Sequence, residues 1–173
     1  MVREIVEYPS SILQKVSKEV VKFDKNLHDL LDDMYETMMA KSGIGLAAIQ
    51  VGVPLRILIL NLPSGEEDKQ DIKDLIEAIN PEILTSKGSV TYNEGCLSVP
   101  GVYEDITRKE FIKIKYYDRA GNKIIKECDN LMSIAFQHEI DHLNGHLFIE
   151  KLSYLKRKKF DKEWKRRLKS KKS

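Results

Sequence analysis

The residues best suited to chemistry are the five of His138-Glu139-Ile140-Asp141-His142. Side chains four apart on a helix project to the same side, one turn from each other, so two imidazoles in this register can share one ion. Glu139 follows the first histidine directly, where its carboxylate can reach a water held by that ion without joining the ligands, as a general base must. The ordinary alternative is a pair of surface histidines on an unremarkable helix.

A catalytic ion takes three protein ligands and keeps one position open, and four residues compete for the third place. His146 comes after Gly145, which ends the helix, and so leaves the face that His138 and His142 share. The run His138 to Gly145 opens like a metzincin protease signature, but Phe148 stands where that pattern needs a third histidine. Glu163 lies at the downstream distance of thermolysin-like proteases, yet in a Lys/Arg-rich segment where a carboxylate more naturally pairs along the helix surface. Cys96 remains, in Glu94-Gly95-Cys96-Leu97-Ser98, where a glycine allows close approach and a thiolate ligates a divalent ion strongly. Taken alone, Cys96 reads as a small buried hydrophobe, and Cys128, at a strand end, keeps that reading.

These residues need elements to position them. Leu27, Leu30, Leu31, Met34 and Met38 form one helical face within Asp24 to Lys41, with Asp24 as cap and Gly43 as stop. Arg56 to Asn61 reads as a strand. Phe111 to Tyr117 and Lys123 to Cys128 read as a hairpin, because Ile112, Ile114 and Tyr116 alternate with lysines and residues 118–122 carry turn chemistry. Pro63 to Glu77 is polar and mostly acidic, which predicts an exposed insertion with a helical turn or two and no assigned role. Asn130 to Asn144 should be the helix that carries both histidines, stopped at Asn144-Gly145, and a third helix should start near Ser153. The order predicts an α+β fold, with antiparallel sheets packed around a central metal-binding helix and a C-terminal helix.

A length of 173 residues, 42% of them hydrophobic, suits one domain over 1–173 with a core of its own. No apolar run approaches the roughly 20 residues that span a bilayer, and Met1 to Ser10 lacks a signal-peptide pattern, so the expectation is a cytoplasmic protein without membrane contact. Two cysteines are too few for a disulfide framework and fit that compartment. The net charge of +2 hides an asymmetry: residues 151–173 hold 12 Lys/Arg against 2 Asp/Glu, whereas the rest of the chain is acidic. Phe160, Trp164 and Leu168 recur every four residues in this basic arm, a narrow apolar seam that could dock on the body or on a partner.

Three strings, in this order, resemble the bacterial type of the peptide deformylase family: Gly43-Ile44-Gly45-Leu46-Ala47-Ala48-Ile49-Gln50, Glu94 to Ser98, and Gln137 to Leu143. The likeness runs over nearly the whole chain and constrains the basic arm least. It implies that Cys96, His138 and His142 ligate the metal, in agreement with the choice made from spacing, and that Glu139 is the catalytic carboxylate. It further implies that Gln50 and the Leu97 N–H stabilise the oxyanion, and that Gly43, Ile44 and Gly45 pair with an extended peptide. A methionine pocket would be lined by Ile44, Tyr92, Leu131 and Ile134, any of which could equally be core.

Iron(II) is the implied ion, with nickel, cobalt or zinc as substitutes, and the implied substrates are N-formylmethionyl nascent peptides, which would lose formate. Tyr103 and Ala135 depart from the family pattern, where arginine and cysteine are common, which leaves open how the peptide beyond methionine is held. The arm is either a solvated charged face or a contact for ribosomal RNA. Two rival readings are a zinc endopeptidase that uses Glu163 and a non-catalytic RNA-binding module that owes everything to the arm.

Overall fold

The computed structural model describes residues 1–172; Ser173, the last residue of the basic arm, lies outside the described residues. Seven strands and three helices follow one another as α1 (Lys25–Ala40), β1 (Gly45–Ala47), β2 (Ile57–Leu60), β3 (Ile76–Lys87), β4 (Val90–Cys96), β5 (Val99–Arg108), β6 (Phe111–Tyr117), β7 (Lys123–Asp129), α2 (Asn130–Leu143) and α3 (Tyr154–Lys172). The fold is α+β. Five strands form an antiparallel sheet in the order β1-β2-β3-β6-β7, and β4 and β5 form a separate two-stranded sheet.

Helix α1 forms as its periodicity predicts, with Asp24 Oδ1 accepting the Leu27 N–H at 3.1 Å and the five expected apolar residues buried. Its stop differs in detail. The left-handed residue is Ser42, with φ of 59°, and Gly43 follows by donating its N–H to the Met38 carbonyl. The glycine at 43 also leaves room for a neighbour: a Cβ there would lie 2.9 Å from Leu97 Cδ1, so that side chain would have to shift.

Strand β2 is buried along its whole length, because both of its faces are covered. Ile57 and Ile59 pack towards α1 with Leu31, Met34 and Met38, and Leu58 and Leu60 pack towards α2 with Phe136 and Ile140. That double cover explains an unbroken apolar run where a half-exposed strand would alternate. The far side of the molecule holds a third cluster, in which Val99 and Ile106 of β5 meet Phe148, Phe160 and Trp164. The seam predicted on the basic arm therefore docks on the body.

Strands β3, β4 and β5 have no counterpart in the sequence reading, and β3 starts inside the stretch expected to be an insertion. Asn80-Pro81 interrupts β3, where the register to β6 shifts between Ile79 and Glu82. Proline removes a ladder donor and so breaks the strand signal. The β4–β5 hairpin turns through Leu97-Ser98, with none of the glycine or asparagine chemistry that marks a tight turn in sequence.

Helix α2 must end sharply, since its last turn abuts the N-terminal segment. Arg56 Nη1 caps it by donating to the Leu143 carbonyl and to Asn144 Oδ1, both at 3.1 Å, a cation at the negative end of the helix. Gly145 has φ of 80°, and a Cβ there would lie 2.4 Å from the Gln14 carbonyl oxygen. Gly145→Ala is expected to lose at least 1–3 kcal/mol, roughly the cost of such backbone strain alone, measured as a lower urea midpoint at constant m-value.

Candidate metal centre

Helix α2 carries His138 and His142 on the side turned from the sheet, while Phe136, Ile140 and Leu143 face the sheet core. Cys96 arrives from the end of β4, just before the hairpin turn. Among the described residues, Cys96, His138 and His142 form the one group of metal-type side chains whose ligand atoms converge, all within 4.8 Å of one another. Cys96 Sγ stands 3.3 Å from His142 Nε2. His138 Nδ1 meets Glu94 Oε1 at 2.8 Å, which fixes the ring and frees its Nε2 for an ion.

Glu139 is buried beside this group. Its Oε1 lies 3.8 Å from His138 Nε2 and 4.0 Å from His142 Nε2, and its Oε2 has no hydrogen-bond partner. Burial pushes its pKa up to about 7, which matches what a proton carrier needs near neutral pH. At His138, burial opposes charge, but hydrogen bonds with Cys96 and Glu94 and the charge of Glu139 raise the pKa well above the usual imidazole value. His142, buried and next to His138 and Arg108, is lowered well below it. The anionic groups thus favour positive charge between the rings. A thiolate and two imidazoles suit a borderline divalent ion, and such an ion meets the same electrostatic demand. The residues fit a metal.

Three residues that the sequence does not single out hold this geometry. Arg108, at the end of β5, donates from Nε and Nη2 to the two oxygens of Glu94, at 2.6 and 2.9 Å, and from Nη1 to Asp141 Oδ2 at 2.9 Å. Both Arg108 and Glu94 are buried. Burial works against the Glu94 charge, yet the hydrogen bonds from His138 and Arg108 outweigh it and hold the carboxylate below its ordinary pKa. Asp141 stands between the two histidines in sequence, and Glu94 is two residues before Cys96. That adjacency is the one signal in the sequence that could have pointed to them.

Gln50 lies in a short 3-10 turn after β1, fully buried. Its Oε1 accepts the Ala47 N–H at 3.0 Å, so Nε2 points the other way, to Ser98 Oγ at 3.0 Å and Cys96 Sγ at 3.6 Å. Leu97 opens the β4–β5 turn next to Cys96. A cleft of about 730 Å³ runs past the centre, within the size range of ligand pockets. Gly43, Ile44 and Gly45 line one part of it, and Tyr92, Leu97, Leu131 and Ile134 line others, with Gln50, Cys96, His138 and Glu139 at its floor. At Gly45 a Cβ would come within 3.0 Å of Leu60 and 3.3 Å of Glu139.

Of the two departures, Ala135 is buried at the cleft wall, and Tyr103 is exposed and laid against Gly95, where a Cβ would be 2.5 Å from its ring. The rival ligands are elsewhere. His146 is exposed and pairs with Glu150 at 3.1 Å, and Glu163 is exposed on α3, so neither joins the converging group.

The sequence pattern of the family described as polypeptide deformylase matches residues 2–158. The chain is 54% identical over 170 residues to the peptide deformylase of Nautilia profundicola, which covers 98% of this chain and 97% of that protein. It is 59% identical over 162 residues to the peptide deformylase of Helicobacter pylori strain J99, covering 94% and 92%. The crystal structure of the Ehrlichia chaffeensis peptide deformylase superposes with a TM-score of 0.90 at 39% identity, over all of both chains.

Glu94→Gln keeps the size of the side chain and weakens its charge-assisted hold on His138. Metal affinity, measured by competition with a chelator, is expected to fall by about 10–100-fold, with the far-UV spectrum unchanged.

Proposed function

The chain belongs to the polypeptide deformylase family, whose members are hydrolases that remove N-formyl groups, and from that membership we propose that Cys96, His138 and His142 hold the catalytic ion and Glu139 handles the proton. The observation that carries this assignment is the convergence of one sulfur and two imidazole nitrogens beside a buried carboxylate with a free oxygen. The substrate is the formylated N-terminus of a nascent chain.

When bound, a divalent ion in this ligand set polarises the formyl carbonyl and lowers the pKa of water to near 7. The remaining work falls to the protein. Glu139, whose Oε1 faces the two histidine nitrogens, takes a proton from the attacking water and later delivers it to the departing amine, so that formate and a free N-terminus leave. Gln50 Nε2 and the Leu97 N–H donate to the oxygen that gains negative charge; loss of one such donor typically costs roughly 3–4 kcal/mol of barrier. Gly43, Ile44 and Gly45 form the cleft edge that meets the extended substrate backbone, since β1 is an edge strand of the sheet; both backbone groups of Gly43 are bonded within the protein, so the pairing falls to Ile44 and Gly45. Ile44, Tyr92, Leu131 and Ile134 receive the methionine side chain.

Iron(II) is the proposed resident ion, with nickel, cobalt or zinc able to substitute; the mixed thiolate and imidazole set supports borderline ions of this kind. The proposed site of action is the cytoplasm, which the two free cysteines support. Among the described residues, no helix is long and apolar enough to cross a membrane. The outer face of α3 is the proposed contact for ribosomal RNA. Its buried Phe160 and Trp164 hold the helix to the body, with Arg157 and Arg167 folded against it, and leave Arg166 and the lysines facing out.

Two experiments test these assignments. Formate release from formyl-Met-Ala-Ser should fall by roughly 10²–10⁴-fold in Glu139→Ala with bound iron retained, whereas Cys96→Ala should lose both activity and iron, measured on anaerobically purified protein. A Cys96→Ala protein that kept its ion would remove the ligand assignment. Cosedimentation with ribosomes should weaken steeply as salt is raised and on deletion of residues 156–173; binding insensitive to both would remove the RNA contact.

A further inference from the structure

The polar segment after β2 received no role from its sequence, yet it bonds to the backbone of a residue that lines the cleft. Ser64 and Lys69 form an isolated antiparallel bridge, with the Ser64 N–H donating to the Lys69 carbonyl at 3.0 Å. The turn between them is tight, with Gly65 and Asp68 both at positive φ. This closed turn delivers Gln70 against the strand that lines the cleft. Gln70 Nε2 donates to the Gly43 carbonyl at 2.9 Å and to the Asn61 carbonyl at 2.7 Å. Asn61, itself fully buried, returns the contact by donating from Nδ2 to the Asp71 carbonyl at 2.8 Å.

The consequence for the cleft follows from peptide geometry. A peptide unit is planar and trans, so the Ile44 N–H points opposite to the Gly43 carbonyl. Gln70 holds that carbonyl on the side of the loop, and the Ile44 N–H is thereby turned away from the loop. The neighbouring units are pinned as well: the Gly43 N–H donates to Met38, and the Ile44 carbonyl accepts from the Asn61 N–H at 2.8 Å. The one contact in this set made by a side chain is that of Gln70. A two-glycine segment has no side chains of its own at 43 and 45 to limit its backbone, so an outside clamp is what fixes its peptide planes.

We propose that Gln70 is a positioning residue for substrate: it sets the Gly43–Ile44 peptide plane so that the Ile44 N–H meets the first carbonyl of the formylated peptide. This rests on the deformylase reading and on the edge-strand role of Gly43 to Gly45. Gln70 touches neither the ion ligands nor Glu139. Its effect falls on binding of the downstream backbone and leaves the formyl chemistry alone.

The test compares metal-loaded wild type with Gln70→Glu, Gln70→Ala and Gln70→Lys on two substrates. Formyl-Met-Ala-Ser presents the first carbonyl; the formamide of 3-(methylthio)propylamine keeps the thioether and the formyl group and has no such carbonyl. Gln70→Glu keeps the shape but turns acceptor oxygens on two carbonyls. It should raise KM for the tripeptide about tenfold with kcat within about twofold, and change kcat/KM for the short formamide by less than about twofold. Gln70→Ala should show a smaller rise, and Gln70→Lys, which still donates, should recover most of it. Equal losses on both substrates, or no loss on either, would overturn the proposal; Gln70→Ala and Gln70→Lys decide the matter if Gln70→Glu does not fold. Wild type that releases no formate from the tripeptide would instead sink the deformylase reading itself.

Discussion

One buried guanidinium ties the site together. Arg108 binds Glu94 with two nitrogens and Asp141 with the third, so β4, β5 and α2 meet at a single side chain. It adds a directed polar link to the apolar packing of Val99 and Ile106 on Phe148, a link that matters because β4 and β5 pair only with each other and not with the main sheet. As a source of stability this arrangement is poor: removing charges from water costs several kcal/mol per ion, and the mutual attraction does little more than repay it. Its value is directional. A hydrophobic substitute of equal volume could glue the hairpin to the helix, but it would not fix the ring of His138 through Glu94, nor the distance from Cys96 to the histidine pair.

The same network sets the electrostatics. Glu94 and Glu139 flank His138, and Arg108 neutralises Glu94 from behind. The carboxylate that orients the ring, bonded by both His138 and Arg108, therefore stays ionised in spite of burial, while Glu139, whose Oε2 has no hydrogen-bond partner, is pushed up towards neutrality by burial. Two glutamates less than a helix turn from the same imidazole end up with opposite shifts. The difference lies in the hydrogen bonds from His138 and Arg108, which Glu94 accepts and Glu139 does not, and it separates the carboxylate that holds the ring from the one proposed to carry protons.

How much of this could be read in the sequence depends on the range of the interaction. The imidazole pair was legible because its spacing is a property of one helix, and α1 and α2 were legible because their apolar periodicity is local. Cys96 was reached by elimination among candidates and by resemblance, since no local signal says that β4 ends beside α2. Arg108 and Asp141 were missed for the same reason: their role exists only after β5 has been laid against the helix. Strands β3 to β5 were missed because Asn80-Pro81 and Pro100-Gly101 break the alternation, and because the β4–β5 sheet carries tyrosines and carboxylates on an open face where core residues would have given a pattern. The arm's seam was visible, but which surface it meets is settled by Val99, Ile106 and Phe148, residues far from it in sequence.

The cleft poses a problem that the fold answers with length. A substrate that binds by adding a strand needs an unpaired edge, and an exposed edge also invites pairing with any other chain. Strand β1 is only three residues long and is followed at once by the turn that carries Gln50, so it offers too few backbone groups to template a second sheet. Gly45 brings the backbone against the buried Glu139. Shortness makes the edge safe, but it also makes it floppy, the more so with glycine at 43 and 45. Rigidity must then come from outside the strand: from α1 through the Gly43 N–H, from β2 through Asn61, and from the loop through Gln70. An edge that is short, glycine-rich and held from three sides suits the proposed pairing with a strand whose terminus enters the candidate metal centre, because such an edge offers little to a strand held nowhere else.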